Sequence, residues 1–179
     1  MSLRQALLLT GRPGVGKTTI IKRIAQALGE RAGGFYTEEI LGPGGRKGFR
    51  VITLDGQQGM LAHVDVRSRS KVGRYGVDVA DFERVGVAAL QRAIDSAEIV
   101  VVDEIGKMEL FSPRFKSALI KALDCGKPLL ATAMLAAEPW VDALKQMPGV
   151  TTIEVTKQNR NDGGACAAVA GERGIKRDA

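Results

Sequence analysis

Histidine and cysteine are nearly absent. One histidine, His63, and two cysteines, Cys125 and Cys166, serve the whole chain. A Ser-His-Asp or Cys-His mechanism would depend on His63 alone. That residue sits in the apolar, strand-like stretch Met60–Val64, where a strand surface or a core position accounts for it. The cysteines are far apart and lack CxxC spacing, which argues against a zinc site or a disulfide framework and suits a cytoplasmic protein. Aromatic residues are scarce as well. Five Phe, two Tyr and one Trp leave few platforms for stacking on bases, and no RRM, zinc-finger or KH signature is present. No apolar run approaches the ~20 residues of a membrane span. The Ala6–Leu9 run lacks a signal peptide's length. Acid–base chemistry must therefore rest on carboxylates, lysines or bound metal.

What remains is an ordinary globular composition: 45% hydrophobic and 26% charged residues in a chain of 179. That length predicts one domain, residues 1–179, able to bury a core without disulfides. The formal charge of +6 suits an anionic partner such as nucleic acid, a membrane surface or polyphosphate. No long basic run supports the first two, and nothing in the sequence specifies an oligomeric state.

Ala6–Thr10 reads as a buried strand and Gly11–Gly16 as a loop. Lys17–Leu28 reads as a helix, with Ile20, Ile21, Ile24 and Leu28 at helical spacing and Gly29 as its stop. Between about 34 and 64, three short strand-like segments alternate with turn signals, which predicts an antiparallel β-meander inserted after the first helix. Arg67–Arg74 is basic and polar and reads as a loop. Asp78 or Asp81 could cap a helix running to about Ala97. Glu98–Val102 is another buried strand, and Ser112-Pro113 opens a further helix that Gly126 ends. Leu129–Ala133 is a strand, Pro139–Met147 a short helix and Thr151–Val155 a last strand. The alternation predicts an α/β fold with a mainly parallel sheet flanked by helices. Residues 161–179, rich in glycine and alanine, read as one weak helix or a loose tail.

The chemistry concentrates in two motifs. Gly11-Arg12-Pro13-Gly14-Val15-Gly16-Lys17-Thr18 fits G-x-x-x-x-G-K-[ST], the P-loop or Walker A pattern. The glycines let the loop curl so that backbone N–H groups face phosphate oxygens. Lys17 brings a cation to the β- and γ-phosphates, and Thr18 offers a hydroxyl to Mg²⁺ at the positive end of the helix. Thr19 follows on the same first turn. The second motif is the apolar strand Glu98–Val102 running into Asp103-Glu104. It places Asp103 at the carboxyl edge of the sheet, as a Mg²⁺ ligand, and leaves Glu104 to orient or deprotonate water. Asp103-Glu104-Ile105-Gly106 also reads as D-x-x-G, in which the Gly106 N–H would meet the γ-phosphate. Thr156-Lys157-Gln158-Asn159 occupies the place of a guanine-reading N/T-K-x-D, with Asn159 where Asp would grip guanine.

Four segments carry a family resemblance: Gly34–Glu39, Val72–Val79, the string Asp103-Glu104-Ile105-Gly106-Lys107-Met108-Glu109-Leu110, and Asn159-Arg160. From about Leu7 to Arg160 the chain resembles the small nucleoside-triphosphate phosphatases of the THEP type, called cancer-related nucleoside triphosphatases in animals. The resemblance implies a RecA-like P-loop core and slow, Mg²⁺-dependent hydrolysis of ATP, GTP and other nucleoside triphosphates, with broad base preference. It further implies that Glu104 activates water and that Asn159 and Arg160 lie near the base.

An arginine over the γ-phosphate would complete such a site. Arg74 is the leading candidate, and Arg46, Arg67, Arg69 and Lys71 are others. Lys107 faces the phosphates or pairs with Glu109 or Glu38. Arg12 points outward or caps the base. Phe35 and Tyr36 read as strand core or as base-stacking rings, Glu38 and Glu39 as strand-edge carboxylates, Trp140 as core and Cys125 as inert. Two other functions fit the same motifs: a small-molecule or nucleoside-monophosphate kinase, and a nucleotide-dependent switch linked to nucleic acid.

Overall fold

The computed structural model describes residues 5–161. The tail and Cys166 lie outside them. Nine strands form one sheet: β1 (Ala6–Thr10), β2 (Ala32–Gly42), β3 (Gly45–Thr53), β4 (Gln58–His63), β5 (Lys71–Val72), β6 (Tyr75–Val77), β7 (Ile99–Ile105), β8 (Leu129–Ala133) and β9 (Val150–Glu154), in spatial order β5-β6-β4-β3-β2-β7-β8-β1-β9. From β2 to β9 the neighbours run parallel. From β2 to β5 they run antiparallel.

β2 belongs to both halves. Its start pairs in parallel with β7, Ala32 opposite Ile99 through Phe35 opposite Val102. From Phe35 onward it pairs antiparallel with β3. The stretch expected as an insertion is therefore continuous with the main sheet, and its first strand is central. Arg67–Arg74, expected as a loop, contains β5 and leads into its two-stranded pairing with β6.

Helix α1 (Lys17–Leu28) packs Ile20, Ile21, Ile24 and Leu28 on one face of the sheet, against Leu9, Val101 and Leu130. The other face carries α2 (Val79–Phe82), a wide turn at Glu83–Val87, α3 (Ala88–Ser96) and α4 (Pro113–Asp124). Asp78, and not Asp81, caps this run, its carboxylate accepting from the Asp81 N–H at 2.9 Å. Asp81 instead accepts from the Met60 N–H and pairs with Arg84. At α4, Ser112 Oγ accepts from the Phe115 N–H at 3.0 Å and Pro113 takes the first position, as expected of that dipeptide.

Phe35, Phe82 and Phe115 meet at the centre of this face with ring centroids 5.5–6.2 Å apart, none exposed. Phe35 is thus core, not a base-stacking ring. A short helix α5 (Pro139–Lys145) precedes β9. Trp140 lies partly buried against the core with Lys116 over its ring. His63 sits on β4, 20% exposed, beside Asp65.

Candidate active site

The glycine loop starts where β1 ends. Gly11 has φ 148°, and a Cβ there would lie 2.6 Å from the Val155 carbonyl oxygen, so only glycine lets the loop leave the sheet beside β9. Gly16, at φ 110°, turns the chain into α1. Lys17 opens the helix, buried, and its ammonium donates back across the loop to the carbonyls of Gly11 (3.0 Å) and Arg12 (3.5 Å). The loop is thereby clamped by the cation that the motif supplies. Pro13 and Gly14 line the cleft that opens above, Val15 is buried beneath the loop, and Thr19 stands exposed at the mouth. The Arg12 side chain points to solvent.

The cleft, about 930 Å³, runs from this loop along the carboxyl edge of the sheet to Arg46, Phe49 and Tyr75. Its floor is the end of β7. Between Val102 and Ile105 the pairing with β8 slips, so that Asp103 and Glu104 together oppose Thr132. Such a bulge re-aims side chains. Asp103 is fully buried. It accepts hydrogen bonds from Thr18 Oγ1 (2.9 Å), Thr132 Oγ1 (2.5 Å) and the Thr37 N–H (3.4 Å). Burial pushes its carboxyl up, and those three donors, with Lys17, pull it back. Glu104 lies 4.0 Å from the Lys17 ammonium. Burial raises its carboxyl too. The lysine opposes that rise, and the charge of Asp103 adds to it.

Thr37 and Thr132 were not singled out from sequence. A lone threonine in an apolar strand gives no signal until the strands are ordered. Glu109 was seen only as a partner for Lys107. It is instead buried, 4% exposed, facing the same cleft. No ion pair to it occurs among the described residues, and Lys107 extends to solvent at the cleft wall. Burial, reinforced by the charges of Glu104 and Asp103, raises the Glu109 carboxyl to about 8.

The remaining candidates fall on the rim. Arg46, and not Arg74, lines the cleft. Its guanidinium is held by Glu39 (2.5 Å) and the Tyr75 hydroxyl (3.1 Å). Arg74 donates to the Arg46 carbonyl and covers Tyr75. Glu38 is engaged by Lys22 (2.5 Å) and Arg50 (3.0 Å), and the Lys22 hydrogen bond holds its carboxyl below the usual range. Lys22 also covers the Tyr36 ring at 4.8 Å. Asn159 spends its amide on its own turn, accepting from the Thr156 N–H (2.8 Å) and donating to the Glu154 carbonyl (2.9 Å). Arg160 reaches the Val15 carbonyl at 3.5 Å, tying that turn to the glycine loop. Cys125 ends α4 with its thiol on the Ala122 carbonyl.

A strand, a glycine turn and a helix N-terminus, meeting carboxylates at the carboxyl edge of a largely parallel sheet, define the class of α/β proteins that hold phosphates on helix amides. Within that class the assignment is sharper. The family model for NTPase matches residues 6–164, and the chain belongs to this family. It is 45% identical over 155 residues to the nucleoside-triphosphatase THEP1 of Thermotoga sp. (strain RQ2), covering 87% of this chain and 88% of that one. It is 39% identical to the protein of that name from Aquifex aeolicus, over 87% and 92% of the two chains. Among solved structures, the crystal structure of THEP1 from Aquifex aeolicus superposes with a TM-score of 0.86 at 37% identity, over 94% of this chain and 100% of that one. The solution structure of a human cancer-related nucleoside triphosphatase gives 0.77 at 36%, over 96% and 100%.

Proposed function

We propose that this chain is a nucleoside-triphosphatase that cleaves the β–γ bond of ATP, GTP and other nucleoside triphosphates with Mg²⁺, slowly and with little regard for the base. The observation that carries the reading is the convergence of Lys17, Thr18 and Glu104 on one stretch of cleft floor, with Asp103 buried beneath and bonded to Thr18. The relatives named above bear the name of that activity.

Thr18 and Asp103 would hold the magnesium. Their oxygens lie 2.9 Å apart, and one hydroxyl with one carboxylate is the hard, sparse donor set this ion takes when phosphates and waters complete its shell. When bound, the ion neutralises charge on the phosphate oxygens. The loop N–H groups and Lys17 bind the phosphate oxygens and fix the γ-phosphorus in place. Glu104 stands 4.0 Å from that lysine and takes the proton of the attacking water. Burial raises its pKa, which makes its carboxylate a better proton acceptor than an exposed glutamate. Broad base preference accords with Asn159, whose amide is occupied by its own turn. The RecA-like core belongs to the same proposal.

The test is phosphate release from ATP, GTP, CTP and UTP with Mg²⁺ by wild type and Glu104→Gln. Release from all four that falls about 10²–10⁴-fold in the variant, at unchanged nucleotide affinity, supports the reading. Full turnover in Glu104→Gln sinks the base assignment. Release that appears only with a phosphoryl acceptor or with RNA sinks the hydrolase.

A further inference from the structure

Glu109 is the buried carboxyl that this scheme leaves unused. It sits at the start of the single turn Glu109–Phe111, just beyond the end of β7. The chain between Ile105 and that turn folds its side chain back into the cleft. Gly106 marks how tightly the groups meet. A Cβ built on it would lie 3.1 Å from Glu109 Oε2 and 3.2 Å from Glu104 Oε1. The two carboxyl oxygens are therefore separated by no more than the sum of those distances, with only a glycine's missing side chain between them.

The elements packed around Glu109 supply little positive charge. Asp103 and Glu104 face it from β7, and Lys17 of α1 is engaged with the loop carbonyls and lies 4.0 Å from Glu104. Lys107 of its own loop is turned to solvent. On the side of the helices, Glu83 is taken by Arg114 and by Ser112 Oγ, and Asp81 by Arg84. Backbone N–H groups of Gly106 and Glu109 itself are the stabilising contacts of the carboxylate form. A third negative charge beside two carboxylates, in a cleft meant for a triphosphate, would repel Glu104 and substrate alike. An uncharged carboxyl there has an O–H to give, and Glu104, across Gly106, has a carboxylate oxygen to receive it.

We propose that Glu109 is the positioning residue of the site: its neutral carboxyl donates a hydrogen bond to Glu104 and holds that carboxylate towards the attacking water. The inference rests on Glu104 being the base, which Glu104→Gln tests by itself. The pKa of Glu109, raised to about 8 by burial and the neighbouring carboxylates, keeps the proton in place at neutral pH. Above that, the donor is lost and the repulsion appears.

The experiment compares Glu109→Gln, which keeps shape and an N–H donor and has no charge to gain, with Glu109→Leu, which fills the space and donates nothing. Turnover of ATP is followed from pH 6 to 9, with affinity for a non-hydrolysable ATP analogue measured alongside. Wild type should lose turnover above about pH 8, and Glu109→Gln should stay within a few-fold at neutral pH and lack that loss. Glu109→Leu should drop roughly 10–100-fold in kcat, the scale of a misplaced catalytic group, with analogue affinity intact. The proposal is overturned if Glu109→Gln falls as far as Glu109→Leu, if its high-pH loss matches wild type, or if Glu109→Leu retains full turnover. Because Glu109→Gln is isosteric, its pH profile decides the question even where Glu109→Leu does not fold. A normal Glu104→Gln defect with a normal Glu109→Leu enzyme would leave the base in place and remove only this proposal.

Discussion

The two halves of the sheet are built from different materials. On the parallel side, β8 is buried at all five positions and β7 is buried from Ile99 to Asp103, and the carboxylate admitted there is matched by donors: Asp103 accepts from Thr18, Thr132 and the Thr37 N–H. On the antiparallel side, β2 and β3 are half exposed and laced with surface ion pairs, Glu38 with Arg50 and Lys22, Glu39 with Arg46. A hydrogen bond inside a protein is strengthened by low dielectric and costly to leave unmade, whereas an exposed pair contributes about 0–1 kcal/mol. The proposed chemistry lies in the first material, and the second lines the cleft's far wall.

Substitutions can sharpen this contrast, and they are ordered here from the largest effect to the smallest. Lys17→Ala removes the cation and the clamp of the loop together. Triphosphate hydrolysis should fall by at least about 10²–10³-fold, the scale of losing one preorganised donor, as phosphate release will show. Unchanged release would overturn the whole site. Phe82→Ala opens a void in the aromatic trio that joins β2 to the helices, and should cost about 3–5 kcal/mol in denaturant unfolding. A loss below 1 kcal/mol would mean that this face of the core is loosely packed.

The third concerns pH. The folded-state pKa of Glu109 is raised to about 8, so between the unfolded value and 8 the unfolded chain holds fewer protons than the folded one. Stability from this group is fully present below about pH 4.5 and is lost as pH rises towards 8, at up to about 1.4 kcal/mol per unit. Glu109→Gln should be the more stable protein at pH 7–8 and gain nothing at pH 4. Parallel thermal unfolding curves at both pH values would refute it. The smallest effect belongs to the exposed wall. Arg50→Ala should change stability by less than about 1 kcal/mol and become neutral at high salt. A larger loss would show that the antiparallel half relies on its charges.

Much of this was legible in one dimension because the relevant signals are local. The glycine loop, the stripe of α1 and the apolar run into Asp103 each lie within a dozen residues, so motif and periodicity expose them. What was hidden depends on strands meeting. Thr132 became a partner of Asp103 only once β8 lay beside β7 with two residues opposing one. Phe35 read equally as strand core or as a base-stacking ring, and only the packing of Phe82 and Phe115 against it decides for the core. Arg74 led the arginine candidates because family likeness marks its segment, but it lies at the β5–β6 turn and donates to the Arg46 carbonyl, while Arg46, a sequence-distant residue of β3, lines the cleft. Asp78 and Asp81 are equally good caps by type. What separates them is that the Met60 N–H needs Asp81.

β2 also has a consequence for how the molecule assembles. Its antiparallel partner β3 follows it directly in the chain, so that ladder closes a short loop. Its parallel partner β7 arrives only after three more strands and two helices, and β1 waits for β8 and β9 near the other end. Loop closure that must be completed before contacts reward it slows assembly. The antiparallel wall is thus positioned to form early and to present the start of β2 as a template. The glycine loop, seated between β1 and β9, gains its neighbours only when the last strand docks. Phosphate-binding competence should accordingly be the final property the folding chain acquires.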